Sequence, residues 1–482
     1  MKIRVRRFSG SIGRVLLAVM AVLASGIARP AAATQRDSAG PPGSIVVTEK
    51  QEETACSQGG AKWFKEYVDQ PGDVGAYNSI AFDPGNGTPW ISYYDATNTA
   101  LKVALYVGSD GNCGPDNNWW CMTADNADSV GTYSSIDYYA GSFLDWKAGV
   151  AYYDATHGAL KYAEYTCILF VCFWDVVTVQ DAAYMGAPSY GQYASFKYNA
   201  DGEPLIAFYA SSNLFDDELN YAYRVASGGN CGVGDAAGLW HCETVDSGDG
   251  VGQYASLDYT EFAEVYIAYY DGGAGDLKYA YYSGIGNCGT GNTWSCATLD
   301  GTDGSDVGKF VSLHAPASAD DALQLAYYDA SHGMLRYAVR VDGSGGNCGP
   351  GNSFQCDAIE AVGGGPSKAV SLAADGCNVP IIAYLDDSQP FQPSQLRVAQ
   401  PAYSLGLPSG NCGPGAPFTW QCTTVDAGSD DEDEAGYVSI ALDPNGLAMV
   451  AYSAWAIPFD TYDLKIAYQR AMIFLPVVTK QH

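Results

Sequence analysis

The densest group of side chains that could do chemistry is a run of acids between residues 426 and 434. It contains six carboxylates: Asp426, Asp430, Asp431, Glu432, Asp433 and Glu434. Carboxylate oxygens on neighbouring loops can supply the roughly six to eight ligands that Ca²⁺ takes. The run lacks the spacing of an EF-hand loop, and runs of acids are also typical of solvated loops. We therefore predict calcium as the bound ion, with a solvated loop as the alternative.

A second candidate site is a set of aromatic residues in the loops that are longest and least regular. Its members are Phe391, Trp455, Phe459 and Tyr462. Aromatic side chains offer large apolar faces with a polar edge, which suits them to stack on a sugar ring or to hold a peptide. Binding residues also concentrate on variable loops of a regular scaffold. The alternative is that these loops contact nothing.

Signatures of catalysis are missing from the chain. There is no Gly-x-Ser-x-Gly, no His-Glu-x-x-His and no phosphate-binding loop. His157 and His332 occupy the same loop position in two related segments, which favours a turn residue over a metal ligand or a base. We assign no catalytic residue.

The 14 cysteines predict a disulfide framework. Asn-Cys-Gly precedes a second Cys in four pairs, and two further pairs lie in equivalent segments. The six predicted bonds are Cys113–Cys121, Cys167–Cys172, Cys231–Cys242, Cys288–Cys296, Cys348–Cys356 and Cys412–Cys422. Cys56 and Cys377 are left over, and we hypothesise that they bond to each other. Because zinc needs four convergent ligands, pairs in separate segments argue against it.

Charge and the N-terminus bear on location and partners. Residues 1–33 contain six basic residues and no acid, then an apolar run and Ala31-Ala32-Ala33, the plan of a secretory signal peptide. An uncleaved membrane anchor is the alternative. The remaining chain has 18 basic residues against 54 acids. Such a surface repels phosphate backbones, so nucleic acid is not an expected partner. We expect a secreted or cell-surface protein.

Internal repetition decides the fold class. Seven segments align on a shared serine, separated by steps of 56, 60, 61, 56, 59 and 68 residues. Each holds four short runs rich in Val, Ile, Tyr and Thr, divided by Gly, Asp and Asn. The second run is apolar on both faces, which indicates a sheet covered on both sides by neighbours. The pattern predicts an all-β, seven-bladed β-propeller with four strands in each blade.

The ends of the repeat region predict how the ring closes. Residues 63–69 match a fourth run, whereas the seventh unit stops after its third. The N-terminal strand should therefore become the outermost strand of blade seven. We divide the chain into a signal peptide (1–33), a lead-in (34–60), the propeller (61–470) and a C-terminal tail (471–482).

Strand order places the acids on one face of this scaffold. The loops between blades are acidic, and an Asp follows the second run at Asp95, Asp154, Asp271, Asp329 and Asp386. Since Asp favours turns and recurs here five times, a structural role is the simpler interpretation. Arg336 and Arg397 replace a lysine that recurs in the third run, which also indicates a structural role.

The motifs Ile-Ala-Tyr-Tyr-Asp and Leu-Lys-Tyr-Ala resemble those of secreted bacterial propellers of the sialidase-like, Asp-box-type group, over about residues 65–470. Sialidases use three convergent arginines and a Tyr/Glu pair, a set that this chain does not reproduce. Because no catalytic set is carried over, we expect a non-enzymatic binding or cell-surface module for a glycan or an extracellular protein. The alternative, which the resemblance implies, is a glycan-acting hydrolase or lyase of sialidase-like fold. The apolar hairpin 167–174 predicts contact with a partner or a membrane, or a tip that folds under its blade.

Overall fold

The computed structural model describes residues 62–141, 145–168, 171–182, 189–211, 217–260, 264–316, 322–364, 369–389, 392–415, 419–429, 432–457 and 459–470. The predicted signal peptide, the lead-in, Cys56 and the C-terminal tail lie outside these residues. In the described part of the chain, no helix has the length and apolar character needed to cross a membrane.

The described chain forms seven four-stranded antiparallel sheets, arranged as the blades of a ring. Strand β1 spans Lys62–Asp69. Blade 1 is β2 (Val74–Phe82), β3 (Pro89–Asp95), β4 (Ala100–Tyr106) and β5 (Trp119–Asp125). Blade 2 is β6 (Val130–Ala140), β7 (Trp146–Asp154), β8 (Ala159–Ile168) and β9 (Val171–Gln180). Blade 3 is β10 (Ser189–Tyr198), β11 (Pro204–Ser211), β12 (Asp217–Arg224) and β13 (Trp240–Gly248).

The remaining blades repeat this order. Blade 4 is β14 (Val251–Tyr259), β15 (Val265–Asp271), β16 (Asp276–Tyr282) and β17 (Trp294–Asp300). Blade 5 is β18 (Val307–His314), β19 (Gln324–Asp329), β20 (Met334–Arg340) and β21 (Phe354–Ala361). Blade 6 is β22 (Val370–Ala374), β23 (Pro380–Asp386), β24 (Gln395–Pro401) and β25 (Trp420–Asp426). Blade 7 is β26 (Glu432–Leu442), β27 (Ala448–Ala456), β28 (Thr461–Arg470) and, as its outer strand, β1.

Ring closure by the N-terminal strand is confirmed. Strand β1 pairs antiparallel with β28, with Lys62 opposite Arg470 and Tyr67 opposite Lys465. The last blade therefore combines the two ends of the described chain. This pairing covers an edge that would otherwise expose unpaired backbone groups.

The shared serine of the repeat joins each blade to the next. Its hydroxyl oxygen accepts a hydrogen bond from a backbone N–H in the first strand of the following blade, and all seven junctions carry this bond. The acceptor–donor pairs are Ser79–Ile136, Ser135–Phe196, Ser195–Leu257, Ser256–Leu313, Ser312–Leu372, Ser371–Ile440 and Ser439–Ile80, at 2.8–3.2 Å. The serine thus satisfies a buried backbone donor in every blade.

The core lies between the blades. Second strands are buried on both faces, as their composition predicted, and β23 is buried along its whole length. Large aromatics of the fourth strands fill the space between blades, including Trp119, Trp240 and Trp294. Truncating such a side chain to Ala costs about 3–5 kcal/mol.

All six predicted disulfides are confirmed. Five of them share the Asn of the Asn-Cys motif, whose side chain bonds both the backbone N–H and the carbonyl of the second Cys. In blade 3, for example, Asn230 accepts from Cys242 N–H at 2.7 Å and donates to its carbonyl at 2.8 Å. Cys377 is also disulfide-bonded, while Cys56 lies outside the described residues.

Two faces follow from this topology. The upper face carries the connections between second and third strands and those between blades. The lower face carries the turns between first and second strands and the disulfide-linked hairpins between third and fourth strands.

Candidate functional site

The acids of the upper face are held in clamps between blades. In the junction of blades 1 and 2, Asp125 at the end of β5 accepts hydrogen bonds from the Tyr152 hydroxyl, at 2.7 Å, and from the Lys161 ammonium. Burial first, and Asp125 second, raise the pKa of Tyr152 well above its usual range. In this clamp the lysine balances the charge of the carboxylate, and the phenol donates a hydrogen bond to it.

Five further junctions carry the same three roles. The acid, phenol and cation are Asp69, Tyr93 and Lys102; Asp246, Tyr269 and Lys278; Asp300, Tyr327 and Arg336; Glu360, Tyr384 and Arg397; Asp426, Tyr452 and Lys465. The structural role predicted for Arg336 and Arg397 is confirmed. The junction of blades 2 and 3 differs, with Gln180, Phe208 and Asn220 at these positions.

The repeated Asp after each second strand caps a turn, as predicted. Asp154 accepts backbone N–H bonds from Thr156 and His157, at 3.0 and 3.1 Å. Its other oxygen lies 2.9 Å from the His157 ring. His332 contacts Asp329 in the same way. Both histidines are therefore turn residues.

Three of the six predicted calcium ligands converge on a lysine. The Lys465 ammonium lies 2.8 Å from Asp426, 3.1 Å from Glu432 and 2.8 Å from Glu434. Burial acts to raise the pKa of Asp426, but Lys465 and Lys65 hold it well below its usual range. Burial raises the pKa of Glu434 to about 8 against the opposing effect of Lys465. Lys465 is thus the cation that these carboxylates share.

Of the other three predicted ligands, the structure describes Asp433. Asp433 accepts a hydrogen bond from the backbone N–H of Ser394 at 2.6 Å. Asp430 and Asp431 lie outside the described residues. Within the described part of the chain, no three His, Cys, Asp or Glu side chains are arranged to hold a metal ion. Calcium binding stays a prediction.

The predicted aromatic site is partly assembled on one hairpin of the upper face. Trp455 and Tyr462 lie opposite each other on β27 and β28, with ring centroids 4.7 Å apart in an edge-to-face arrangement. Phe459 is 77% exposed near the tip of the same hairpin. Phe391 lies outside the described residues. The hairpin offers an aromatic surface to a ligand, and Asp433 of β26 lies opposite Trp455.

Tyr462 also contacts a circle of aromatic side chains that surrounds the propeller axis. One residue from each of six blades contributes: Tyr77, Tyr133, Tyr193, Tyr254, Phe310 and Tyr437, with Ala369 completing the lining at blade 6. Neighbouring centroids lie 4.4–4.7 Å apart along this circle. They surround a cavity of about 370 Å³. These residues lie two positions before the shared serine, and sequence analysis missed that they line one cavity.

The lower face holds a cleft between blades 3 and 4. Tyr223 and Tyr282 lie at the lower-face ends of the third strands of these two blades. The cleft encloses about 470 Å³. Tyr282 is 50% exposed. Burial, and then Glu243 and Tyr282, raise the pKa of Tyr223. His241 packs against Tyr223 with ring centroids 5.1 Å apart.

A carboxylate lies among these aromatic walls. Glu243 Oε1 accepts a hydrogen bond from the Trp294 indole N–H at 3.1 Å. This bond fixes the carboxylate, whose remaining lone pairs can accept further donors. The Cys231–Cys242 disulfide and Asn230 hold the hairpin that carries His241 and Glu243. The cleft combines apolar walls, a fixed hydrogen-bond acceptor and a supporting hairpin held by a disulfide, and such a combination is typical of small-molecule sites.

A related cleft of about 270 Å³ lies between blades 7 and 1. Glu66 takes the place of Glu243 and accepts from the Trp119 indole N–H at 2.9 Å. Tyr106 and Tyr468 form aromatic walls. Arg470 lies over the Tyr468 ring, 5.1 Å from its centroid. Sequence analysis missed both clefts; an acid three residues after the fourth-strand Trp, or at the matching position of β1, is the signal that would have found them.

The predicted apolar hairpin of blade 2 is exposed at its tip. The Cys167–Cys172 bond links its strands, and Val171 is 66% exposed. Leu169 and Phe170 lie outside the described residues. Contact with a partner or a membrane stays a prediction.

No protein-family model matches the chain, and no curated protein matches it. Solved structures with a similar arrangement include AofleA from Arthrobotrys oligospora, 12% identical, with 85% of this chain and 88% of that chain covered and a TM-score of 0.38. A fucose-specific lectin from Aleuria aurantia is 12% identical over 75% of this chain and 98% of that chain, with a TM-score of 0.41. The Hadza microbial sialidase Hz136 is 9% identical over 82% of this chain and 66% of that chain, with a TM-score of 0.42.

Proposed function

We propose that this protein is a carbohydrate-binding module and that its lower-face clefts hold neutral sugars. The observation that carries the proposal is the cleft between blades 3 and 4. There, Tyr223 and Tyr282 provide aromatic surface for the apolar side of a sugar ring, and Glu243 provides an acceptor for its hydroxyls.

The geometry favours binding over bond cleavage. Glu243 is held by Trp294, so it acts as a stationary hydrogen-bond acceptor. Hydrolysis of a glycosidic bond ordinarily uses two carboxylates on either side of the scissile bond. Glu243 is the one carboxylate among the described residues that line this cleft. Release of a product by the wild-type protein would favour the glycan-acting enzyme instead.

Disulfides support a location outside the reducing cytosol. The six disulfides between described cysteines favour an extracellular or otherwise oxidising environment. A protein in that setting meets free and cell-surface glycans. The predicted signal peptide would account for export.

A glycan array followed by titration calorimetry tests the proposal. Tyr282→Ala and Glu243→Gln should each lower the affinity for the best-binding glycan roughly tenfold or more, since each removes a principal contact. Tyr403→Ala is the matched control, because Tyr403 is 70% exposed and lies outside the cleft. Unchanged affinity in both cleft variants would contradict the proposal.

The upper-face hairpin is the competing site for the same ligand. It supplies Trp455, Phe459 and Tyr462, and Asp433 lies opposite Trp455 on the neighbouring strand. Trp455→Ala should leave the array profile unchanged. A profile lost in Trp455→Ala and kept in Tyr282→Ala would move the site to the upper face.

A further inference from the structure

A second cavity on the propeller axis, on the side of the lower face, has an uneven lining. The residue two positions after the shared serine lines it in every blade, and in blade order these residues are Ala81, Asp137, Lys197, Asp258, His314, Ala373 and Ala441. Four consecutive blades therefore contribute polar side chains and the other three contribute alanine. Function is expected where a repeated scaffold departs from its symmetry in this way.

These residues line a cavity of about 350 Å³. The side chains of Asp258 and His314 lie 3.5 Å apart and are partly exposed. Phe82, Leu442 and Pro444 extend the opposite side, where Asp443 also lines the cavity. That side is thus mainly apolar with one carboxylate, and the cavity is within the size range of small-molecule sites.

The two carboxylates are held in place by backbone groups of the neighbouring blades. Asp137 Oδ2 accepts from Tyr198 N–H at 2.8 Å, and Asp258 Oδ2 accepts from Ala315 N–H at 2.9 Å. Blades with alanine at this position lack such a carboxylate, so the propeller does not need it at every junction. Fixed acceptors pre-organise the polar wall for a ligand.

Lys197 lies between these acids in the ring. Asp137 and Asp258 both attract its ammonium. Among the residues that the structure describes, however, no acceptor lies within hydrogen-bond or ion-pair distance of the Lys197 ammonium. Its three N–H donors point to a ligand oxygen or water as their partner.

We propose that this cavity binds a small neutral polyol of about the size of one sugar ring. A hydroxyl group can accept from Lys197 while it donates to Asp137 or Asp258, and the apolar wall can cover the carbon face of the ligand. The three carboxylates of Asp137, Asp258 and Asp443 outnumber the Lys197 ammonium, so the lining has excess negative charge, which disfavours an anionic ligand. The proposal adds a second site to the proposed function, on which its ligand class rests.

Titration calorimetry of the Tyr282→Ala protein with free glucose, galactose, mannose, fucose and inositol tests the site apart from the blade 3–4 cleft. We expect one of these polyols to bind. Adding Lys197→Met should lower the affinity for that polyol roughly tenfold or more, because it removes a hydrogen bond to a charged group. Lys309→Met is the matched control, because Lys309 pairs with Asp306 on the upper face.

Three results would overturn the proposal: no binding of any of the five polyols at saturating concentration, equal affinity in the Lys197→Met and Lys309→Met proteins, or tighter binding of glucuronate than of glucose. Thermal unfolding of each variant checks that it is folded. Loss of array binding in Tyr282→Ala tests the cleft separately, so either site can fail without the other.

Discussion

The two faces of the propeller use polar side chains differently. On the upper face, the clamp acids pair with lysine or arginine and tyrosine, and the repeated Asp after the second strand caps a turn, as Asp125 and Asp154 show. On the lower face, Glu243 and Lys197 retain capacity for further hydrogen bonds inside concave clefts. Clamp pairing therefore marks where the ring is held together, whereas binding capacity lies where polar groups are incompletely paired.

Removing a clamp acid should have the largest effect on stability. Asp125→Ala leaves the buried Lys161 ammonium and the Tyr152 hydroxyl without their shared acceptor. We expect a loss of about 3–5 kcal/mol in the free energy of unfolding. Denaturant unfolding measures it, with the exposed Asp342→Ala as control. A loss equal to that of the control would contradict the clamp.

A lower-face disulfide should contribute less than a clamp. The double substitution Cys288→Ser with Cys296→Ser opens a loop with a sequence separation of 8 residues. The chain-entropy treatment gives a loss of about 2–3 kcal/mol. Thermal unfolding should show this loss, and hydrogen exchange should place it in the β16–β17 hairpin. Exchange that speeds up instead in the upper-face loops would contradict the separation of the two faces.

The serine ring lies between the faces and should matter less at any one junction. Ser195→Ala leaves the Leu257 N–H without its acceptor. We expect a cost of about 1–3 kcal/mol, measured by denaturant unfolding. Ser195→Thr keeps the hydroxyl and serves as the control for the bond. Equal stability of the Ala variant and the wild type would show that the bond contributes nothing.

Calcium should have the smallest effect. Lys465 already pairs with Asp426, Glu432 and Glu434. A calcium ion would therefore need its ligands from the other carboxylates of the acidic loop. We expect a chelator at fixed pH to lower Tm by about 1 °C, as weak binding implies. Asp430→Asn combined with Asp431→Asn should abolish that shift. No shift in the wild type would remove the calcium prediction.

The sequence predicted those features that are contained in a single repeat unit and recur along the chain. Blade number, ring closure and the six disulfides follow from the spacing of Ser, Tyr and Cys, because each spacing recurs along the chain. The clamps join residues of adjacent blades, so the lysine of the third run was recognised and its carboxylate partner was not. Sequence alone predicted charge on the upper face without showing that cations already neutralise much of it.

The clefts were harder to predict because they combine unlike positions. Tyr223 and Glu243 come from blade 3 and Tyr282 from blade 4, and neither cleft acid belongs to the consensus of the repeat. The same holds for Asp137, Lys197 and Asp258, whose position is alanine in three blades. Residues that vary at a repeated position carry little weight in an alignment and become neighbours only when the ring closes.

A crystal structure with the best glycan from the array tests the central claim most directly. We predict electron density for the sugar between Tyr223 and Tyr282, with a hydroxyl within hydrogen-bond distance of Glu243. Density on the upper face beside Trp455 and Phe459, with an empty cleft between blades 3 and 4, would contradict it.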